Sequence, residues 1–138
     1  AANTDQGLMV PVIKDADQKS LKEISLELVR LSEDARSGKI QINDLQGGTF
    51  TISSLGGFGG VGFTPIINPP EVAILGVARA QIRPIMIKGK FLPRLILPLS
   101  LSYDHRVIDG VGGIQFTSAL KELLENPESY LSEEISIG

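Results

Sequence analysis

The stretch from Leu95 to Gly113 constrains the fold most, because it joins a strand pattern directly to a helix start. Leucines occupy alternate positions from Leu95, and Tyr103 continues the series, which predicts a strand with one buried face. His105, the only histidine in the chain, follows this strand. Asp109 then predicts the N-cap of a helix. A lone imidazole beside carboxylates and an arginine at such a junction is a candidate acid–base centre.

The composition limits the class of protein and its partners. A chain of 138 residues with 42% hydrophobic residues is typical of one globular domain. A net charge of −3 without blocks of like charge argues against nucleic acid as a partner, and no apolar run is long enough to span a bilayer. With no cysteine and one histidine, the chain offers no plausible metal site. We therefore expect no metal, no nucleic acid and no membrane among its ligands and partners.

The first third of the chain predicts a strand, a helix and a single turn. Leu8 to Ile13 forms a short apolar run that predicts a buried strand. Ser20 and Glu23 have the spacing of a capping box, and apolar residues at three- and four-residue intervals continue to Ala35. Gly38 is placed to end this helix. Asn43 to Gln46 predicts one helical turn.

Two further strand patterns lie in the middle of the chain. TFTISSL, residues 49–55, is rich in strand-forming residues. Val72 to Val77 is apolar on both parities, which predicts a central strand buried on both faces. A turn at Gly89 then suggests one long hairpin, pairing Val72–Ile87 with Phe91–Tyr103. Pro98 predicts a sheet edge or a nitrogen that faces away from a partner strand.

Residues 56–62 contain five glycines and match the G-x-G-x-x-G pattern of dinucleotide-binding loops. That mechanism requires a helix to begin at the glycines, whereas Pro65 and Pro69-Pro70 follow here. The pattern therefore predicts a loop rather than a nucleotide site. The glycines would allow close approach of the backbone to a ligand or a neighbouring chain.

The residues around His105 leave two roles open. It could be a buried histidine that caps the strand end through hydrogen bonds, or a general base at the mouth of a pocket. Asp109 is most simply the N-cap of the following helix, and a catalytic role for it is secondary.

The motif DHRVIDG, from Asp104 to Gly110, resembles the H-x-x-x-D/N-G active-site motif of the dihydrolipoyl acyltransferases of 2-oxo acid dehydrogenase complexes. The stretches GLMVPVI, GGTFTISSLGGFGG, FTPIINPPEVAILGV and PRLILPLSLSYDHR occur in the family's order. The resemblance extends to about Leu131 and is greatest to the acetyl-transferring members of pyruvate dehydrogenase complexes.

This resemblance implies a fold and a site. The fold would be α/β, a mixed sheet flanked by helices in two layers, similar to chloramphenicol acetyltransferase. His105 would be the general base that takes the thiol proton of coenzyme A, and Ser53 the hydroxyl that stabilises the oxyanion. Asp109 matches the family's Asp/Asn position. In the family, the serine and histidine of one site belong to different subunits of a trimer.

The resemblance also implies carriers, partners and a domain plan. Coenzyme A would be a substrate, and the lipoyl group would be carried on a separate lipoyl domain. The partners would be further copies in a homo-oligomeric core and the other subunits of the complex, in the bacterial cytoplasm or the mitochondrial matrix. Residues 1–131 would be the later portion of a catalytic domain, incomplete at its N-terminal side, and residues 132–138 a tail. Two alternatives remain: an inactive structural fragment, or a branched-chain- or succinyl-specific relative.

Overall fold

A computed structural model describes residues 1–5 and 7–129, which divide into two compact units. Of the described residues, those up to 49 and those from 108 to 129 form the first unit, and Phe50–Val107 form the second. The predicted tail, residues 132–138, lies outside the described residues. The strands are β1 (Ala2–Thr4), β2 (Gly7–Met9), β3 (Thr51–Ser54), β4 (Ala73–Val77), β5 (Gln81–Ile87), β6 (Lys90–Ile96) and β7 (Leu99–Tyr103), and the helices are α1 (Leu21–Arg36) and α2 (Gly110–Glu125). Single 3-10 turns lie at Ala16–Gln18, Ile42–Leu45 and Pro127–Ser129.

Helix α1 of the first unit begins and ends where the sequence predicts. Ser20 accepts a hydrogen bond from the Glu23 peptide N–H, and the Glu23 carboxylate accepts one from the Ser20 N–H, which completes the capping box. Gly38 has a φ of 71°, the left-handed conformation that ends many helices. Leu31 and Ala35 of this helix are each only 2% exposed and, with Ala2, form the buried part of the unit.

The strand predicted for Leu8 to Ile13 is shorter than expected and is not buried. Only Gly7–Met9 form a strand, antiparallel to β1, and Leu8 is 68% exposed. The apolar run did not predict burial correctly, because a two-stranded ribbon leaves its residues exposed to solvent unless another layer covers them.

Helix α2 also follows the prediction. The Asp109 carboxylate accepts the Gly112 peptide N–H at 2.8 Å, and the helix ends at Glu125, with Asn126 as its C-cap before Pro127. Several large apolar residues of α2 are exposed in this chain: Ile114 is 69% exposed and Leu124 54%.

The second unit contains a mixed three-stranded sheet in the order β3-β4-β7. β3 runs parallel to β4, and β7 runs antiparallel to it. β4 has a hydrogen-bonded neighbour on each side, and four of its five residues are buried, with Ile74 at 5% and Leu75 at 6% exposure. The prediction of a central buried strand is confirmed. The predicted α/β fold class with a mixed sheet is confirmed as well.

The predicted long hairpin is divided by a bulge. β4 pairs with β7 and β5 with β6, and the three residues Ala78 to Ala80 oppose only two, Leu97 and Pro98. The Ala78 N–H still donates to the Pro98 carbonyl at 3.1 Å. Pro98 cannot donate a ladder hydrogen bond, and the bulge is where the chain accommodates it. The turn at Gly89, with a φ of 78°, is confirmed.

The outer arm of this hairpin, β5 with β6, is apolar on an exposed face. Ile82 pairs with Leu95 and Met86 with Phe91, and each of these four side chains is more than half exposed. The prediction of one half-buried strand starting at Leu95 is therefore wrong for its first part, where Leu95 is 72% exposed. An alternating pattern identifies a strand but not what covers it.

The loop between β3 and β4 is irregular, as predicted, and its residues pack onto the central strand. A Cβ added to Gly76 of β4 would lie 2.9 Å from Cζ of Phe63 and 3.2 Å from Cδ of Pro65. At Gly57, Gly59 and Gly62 an added Cβ would meet nothing within 4 Å. The loop therefore approaches the backbone of its own chain most closely at Gly76. The approach of a ligand or a neighbouring chain to the glycine cluster remains a prediction.

Candidate active site

His105 occupies a tight turn immediately after β7. The Asp104 carbonyl accepts the Val107 N–H at 2.9 Å, and this hydrogen bond closes the turn around His105 and Arg106. The Asp104 N–H donates to the Val72 carbonyl at 2.8 Å, which anchors the turn to the segment that leads into β4. The imidazole is exposed, and its centroid lies 5.9 Å from that of the Tyr103 ring.

This environment excludes one of the two roles that the sequence left open. His105 is exposed, and none of the hydrogen bonds of the described residues involves its imidazole. It is therefore not a buried histidine that caps the strand end within this chain. Its nitrogens are available to a substrate or to another copy.

The carboxylate of Asp104 is fixed by Arg106. It accepts the Arg106 peptide N–H at 3.0 Å, and the guanidinium reaches both carboxylate oxygens, Nη2 at 2.6 Å and Nε at 2.9 and 3.1 Å. These hydrogen bonds lower the pKa of Asp104 from 3.8 to about 2, so the carboxylate keeps its charge further into the acidic range. The sequence predicted charged neighbours of His105, but it did not identify this bidentate contact.

Ser53 lies on β3 with its side chain half-buried. In the sheet it pairs with Gly76, which in turn pairs with Ser100. Side chains on neighbouring strands in one such row point to the same face, so Ser53 shares the face of Gly76 on which Phe63 and Pro65 pack. None of the described residues forms a hydrogen bond with the Ser53 hydroxyl, which is therefore available to a ligand.

The polar face of β3 also contains a contact that the sequence did not predict. Thr51, only 4% exposed, donates from its hydroxyl to the Glu71 carboxylate at 2.6 Å. Ile52, on the opposite face, is 55% exposed. The more buried face of β3 is therefore the one that carries Thr51 and Ser53. The only available signal was their shared parity, since nothing in the sequence relates Thr51 to Glu71, 20 residues away.

Sheet geometry separates Ser53 from the histidine turn within one chain. The row that contains Ser53 and Gly76 lies three residues along the sheet from the row of Ala73 and Tyr103. β3 and β7 are also two strand spacings apart, so the Cα atoms of Ser53 and Tyr103 are roughly 14 Å apart. His105 follows Tyr103 by two residues, beyond the strand end. One chain thus presents the hydroxyl and the imidazole at separate places.

The remaining predicted site residue, Asp109, has its carboxylate at the start of α2, as the cap described above. Among residues 1–5 and 7–129, no group of three or more His, Asp or Glu residues is placed to hold a metal ion. Over the same residues, no helix has the length and apolar character needed to cross a membrane.

Comparisons with known proteins place the chain in a family of acyltransferases. The model of the 2-oxoacid dehydrogenases acyltransferase catalytic domain matches residues 1–132, and the chain belongs to this family. It is 53% identical, over 95% of its length, to the dihydrolipoyllysine-residue acetyltransferase component of the pyruvate dehydrogenase complex of Pseudomonas aeruginosa. It is 48% identical, over 95% of its length, to the dihydrolipoyllysine-residue succinyltransferase component of the 2-oxoglutarate dehydrogenase complex of Rickettsia typhi.

Solved structures show the same fold. The dihydrolipoamide acetyltransferase of Azotobacter vinelandii, studied for the role of a serine, a histidine and an asparagine in its catalytic mechanism, superimposes with a TM-score of 0.90 at 53% identity over 93% of this chain. The cubic core of a pyruvate dehydrogenase multienzyme complex gives a TM-score of 0.89 at 53% identity over 92% of this chain. The predicted family and fold class are thus confirmed. The chain spans 24% of the Pseudomonas relative and 33% of the Rickettsia relative, and 53% and 52% of the two solved chains.

Proposed function

We propose that this chain transfers an acetyl group from S-acetyldihydrolipoamide to coenzyme A, with His105 as general base and Ser53 as oxyanion donor. The observation that carries the proposal is a spacing. In the Azotobacter acetyltransferase, the serine precedes the histidine by 52 positions and the asparagine follows it by four. Here Ser53 precedes His105 by 52 positions and Asp109 follows it by four.

The proposed chemistry suits these side chains. A thiol with a pKa of ~8.5 is mostly protonated at neutral pH, and an imidazole with an ordinary pKa of ~6.5 is a suitable acceptor for its proton. His105 takes the proton from the coenzyme A thiol, and the sulfur attacks the thioester carbonyl. The oxyanion then accepts a hydrogen bond from the Ser53 hydroxyl, a contact typically worth about 3–4 kcal/mol of barrier. When the intermediate collapses, the dihydrolipoyl sulfur leaves and recovers the proton from His105.

We infer that each site is completed by two copies of the chain. The sheet register separates Ser53 from the histidine turn of the same chain by well over hydrogen-bonding distance. Exposed apolar side chains on α2 and on the outer hairpin arm favour burial against further copies, since soluble monomers rarely leave such patches open. A cyclic trimer, with the serine from one subunit and the histidine from the next, satisfies both observations.

The wider setting belongs to the same proposal. The lipoyl group is delivered by a separate lipoyl domain, coenzyme A is the acceptor, and the other subunits of a 2-oxo acid dehydrogenase complex supply and use the lipoyl carrier. Residues 1–131 act as the later portion of the catalytic domain. The named relatives are bacterial, which favours the bacterial cytoplasm over the mitochondrial matrix.

The general base is tested by replacing His105. We expect His105→Ala to lower kcat for acetyl transfer by about 10²- to 10⁴-fold, the usual contribution of a positioned base, while the circular dichroism spectrum stays unchanged. Asp34→Asn, which breaks an ion pair with Arg30 on α1, is the matched control and should keep full turnover. Near-normal turnover of the alanine variant would contradict the role of His105.

An inactive structural fragment is the second candidate, because the chain spans about half of the solved cores. The test compares acetyl transfer by the chain alone with transfer by the chain fused behind the preceding part of the Azotobacter domain. If the fusion is active and the chain by itself is not, the result supports the hypothesis of an inactive structural fragment. Activity in the chain alone refutes it.

The acyl group is tested separately, because the succinyltransferase relative is nearly as similar as the acetyltransferases. Acetyl, isobutyryl and succinyl donors on dihydrolipoamide should be compared at equal concentration. We expect the highest kcat/KM with the acetyl donor. Equal or better use of a larger donor would overturn the acetyl assignment.

A further inference from the structure

Asp104 uses all of its polar groups to shape the turn that carries His105. Its N–H donates to the Val72 carbonyl, and its carbonyl accepts the Val107 N–H. Its carboxylate accepts both the peptide N–H and the guanidinium of Arg106. His105 lies between these two residues, so the carboxylate and the guanidinium close a ring of contacts around its backbone.

Stability alone does not account for this arrangement. The Arg106 side chain is 89% exposed, and exposed ion pairs contribute little to the free energy of unfolding because water and salt screen them. The Asp104 side chain is nevertheless only 21% exposed, and its carboxylate accepts three guanidinium contacts and the peptide N–H. The contacts fix the backbone on both sides of one exposed imidazole, which forms no hydrogen bond of its own among the described residues.

A general base must be held in position by the residues around it. An exposed imidazole without hydrogen bonds samples several rotamers, and a misplacement of about 1 Å can cost 10²-fold in rate. The backbone of the turn sets the direction of the Cα–Cβ bond of His105. A rigid turn therefore limits the positions that the imidazole can reach.

We propose that Asp104 and Arg106 form a clamp that positions His105 for proton transfer, so that Asp104 is a positioning residue of the acyl-transfer site. This inference rests on the proposed function for its kinetic consequence. The structural consequence, an ordered His105 ring, does not depend on it.

Three substitutions separate the parts of the clamp. Asp104→Asn retains an acceptor for the Arg106 peptide N–H but removes the ion pair, and Arg106→Ala removes the guanidinium but retains the acceptor. Each should lower kcat roughly 3- to 10-fold with little change in KM, and the double variant should cost no more than either single one, because both remove the same contact. Asp104→Ala removes both contacts and should lower kcat roughly 30- to 100-fold.

A second measurement separates positioning from general stability. His105 is the only histidine, so its ring gives a single set of imidazole NMR signals without overlap. In Asp104→Ala, the order parameter of this ring should fall well below the value in the unsubstituted chain, at a temperature where both are fully folded. Asp34→Asn, which also breaks a carboxylate–arginine pair, should change neither the order parameter nor kcat.

The outcomes are distinguishable. Unchanged ring order in Asp104→Ala would overturn the clamp, and so would an unchanged kcat in an active protein. A raised KM at constant kcat would also overturn it, because that indicates a substrate contact rather than positioning. If the unsubstituted chain transfers no acyl group from any donor, in isolation or in the Azotobacter fusion, the proposed function fails. The NMR measurement still decides whether Asp104 orders His105.

Discussion

Asp104 and Arg106 show how a local contact sets the ionisation of a residue beside the proposed base. The guanidinium and peptide N–H of Arg106 favour the charged carboxylate, which is why the pKa of Asp104 lies at about 2 instead of 3.8. Because the folded-state pKa is below the unfolded one, the stabilisation is fully present above about pH 4 and is lost as the pH falls through 2. The clamp is therefore intact throughout the neutral range.

We expect the carboxyl ¹³C signal of Asp104 to titrate with a midpoint of about 2 in the unsubstituted chain. In Arg106→Ala the midpoint should rise only part of the way to 3.8, because the variant removes the largest cause of the shift, the guanidinium hydrogen bonds, and keeps the peptide N–H. The Asp34 signal of the same sample is an internal reference for general effects of the substitution. An unchanged Asp104 midpoint in Arg106→Ala would show that the contact does not form in solution.

At the residue scale, the sequence predicted the members of the candidate site better than their surroundings. His105 stood out because it is the only histidine, and the capping role of Asp109 followed from its position before an apolar pattern. Ser53 could be selected among many serines only through the family motif. The contact between Thr51 and Glu71 could not be predicted from the sequence, because it depends on how a loop packs against β3.

At the scale of secondary-structure elements, Asp109 caps the start of helix α2. Its carboxylate accepts the Gly112 N–H, and the asparagine of the Azotobacter enzyme follows its histidine at the same spacing. Aspartate and asparagine are about equally good N-caps, because each offers a side-chain oxygen to the same N–H. An asparagine at position 109 of this chain would therefore cap α2 about as well as the aspartate does.

We therefore expect Asp109→Asn to leave the free energy of unfolding nearly unchanged, whereas Asp109→Ala should lower it by about 1 kcal/mol. Urea denaturation followed by circular dichroism at 222 nm measures both changes. A large loss in the asparagine variant would show that the charge of Asp109, and not only its hydrogen bond, stabilises this chain.

Gly76 determines how the loop packs on the central strand β4. A methyl group at this position would lie 2.9 Å from the Phe63 ring and 3.2 Å from Pro65, closer than carbon atoms normally approach. Gly76→Ala should therefore lower the free energy of unfolding by about 1–3 kcal/mol, the usual cost of overpacking. Thermal unfolding of Gly76→Ala beside Gly57→Ala, where nothing lies within 4 Å, provides the comparison. Equal effects would refute the packing argument.

The elements themselves were more predictable than their burial. Capping residues identified the start of both helices and Gly38 the end of α1, since those signals act within a few residues. The exposure of Leu8 and Leu95 was not predictable, because the burial of a strand depends on which other layer covers it. The bulge opposite Pro98 was likewise hidden, as one extra residue leaves the alternation of each arm unchanged.

At the scale of the whole molecule, the separation of Ser53 from the histidine turn has a direct test. Ser53→Ala and His105→Ala chains are each expected to be inactive, but a mixed oligomer contains some sites with an intact serine from one chain and an intact histidine from another. For equal, random mixing in a closed ring, about a quarter of the sites should be complete. Acetyl transfer measured after denaturing and refolding the two variants together checks this.

Each variant refolded alone is the control and should stay inactive. If the mixture is as inactive as the separate variants, although mass spectrometry shows that mixed oligomers have formed, the serine and histidine of a site belong to one chain. The matched mixture of Asp34→Asn with the unsubstituted chain should retain full activity, which excludes losses caused by refolding.

The bulge between the two halves of the hairpin has a consequence for how this protein can change over evolutionary time. β4 with β7 and β5 with β6 keep independent registers on either side of it. A one-residue slip or insertion in the outer arm can be absorbed at Ala78 to Ala80, where the ladder is already interrupted. Such a change leaves the pairing of Ala73 with Tyr103 in register, and this pairing sets where the histidine turn begins. The outer arm can therefore change in length without shifting the strand pairing from which the turn of His105 begins.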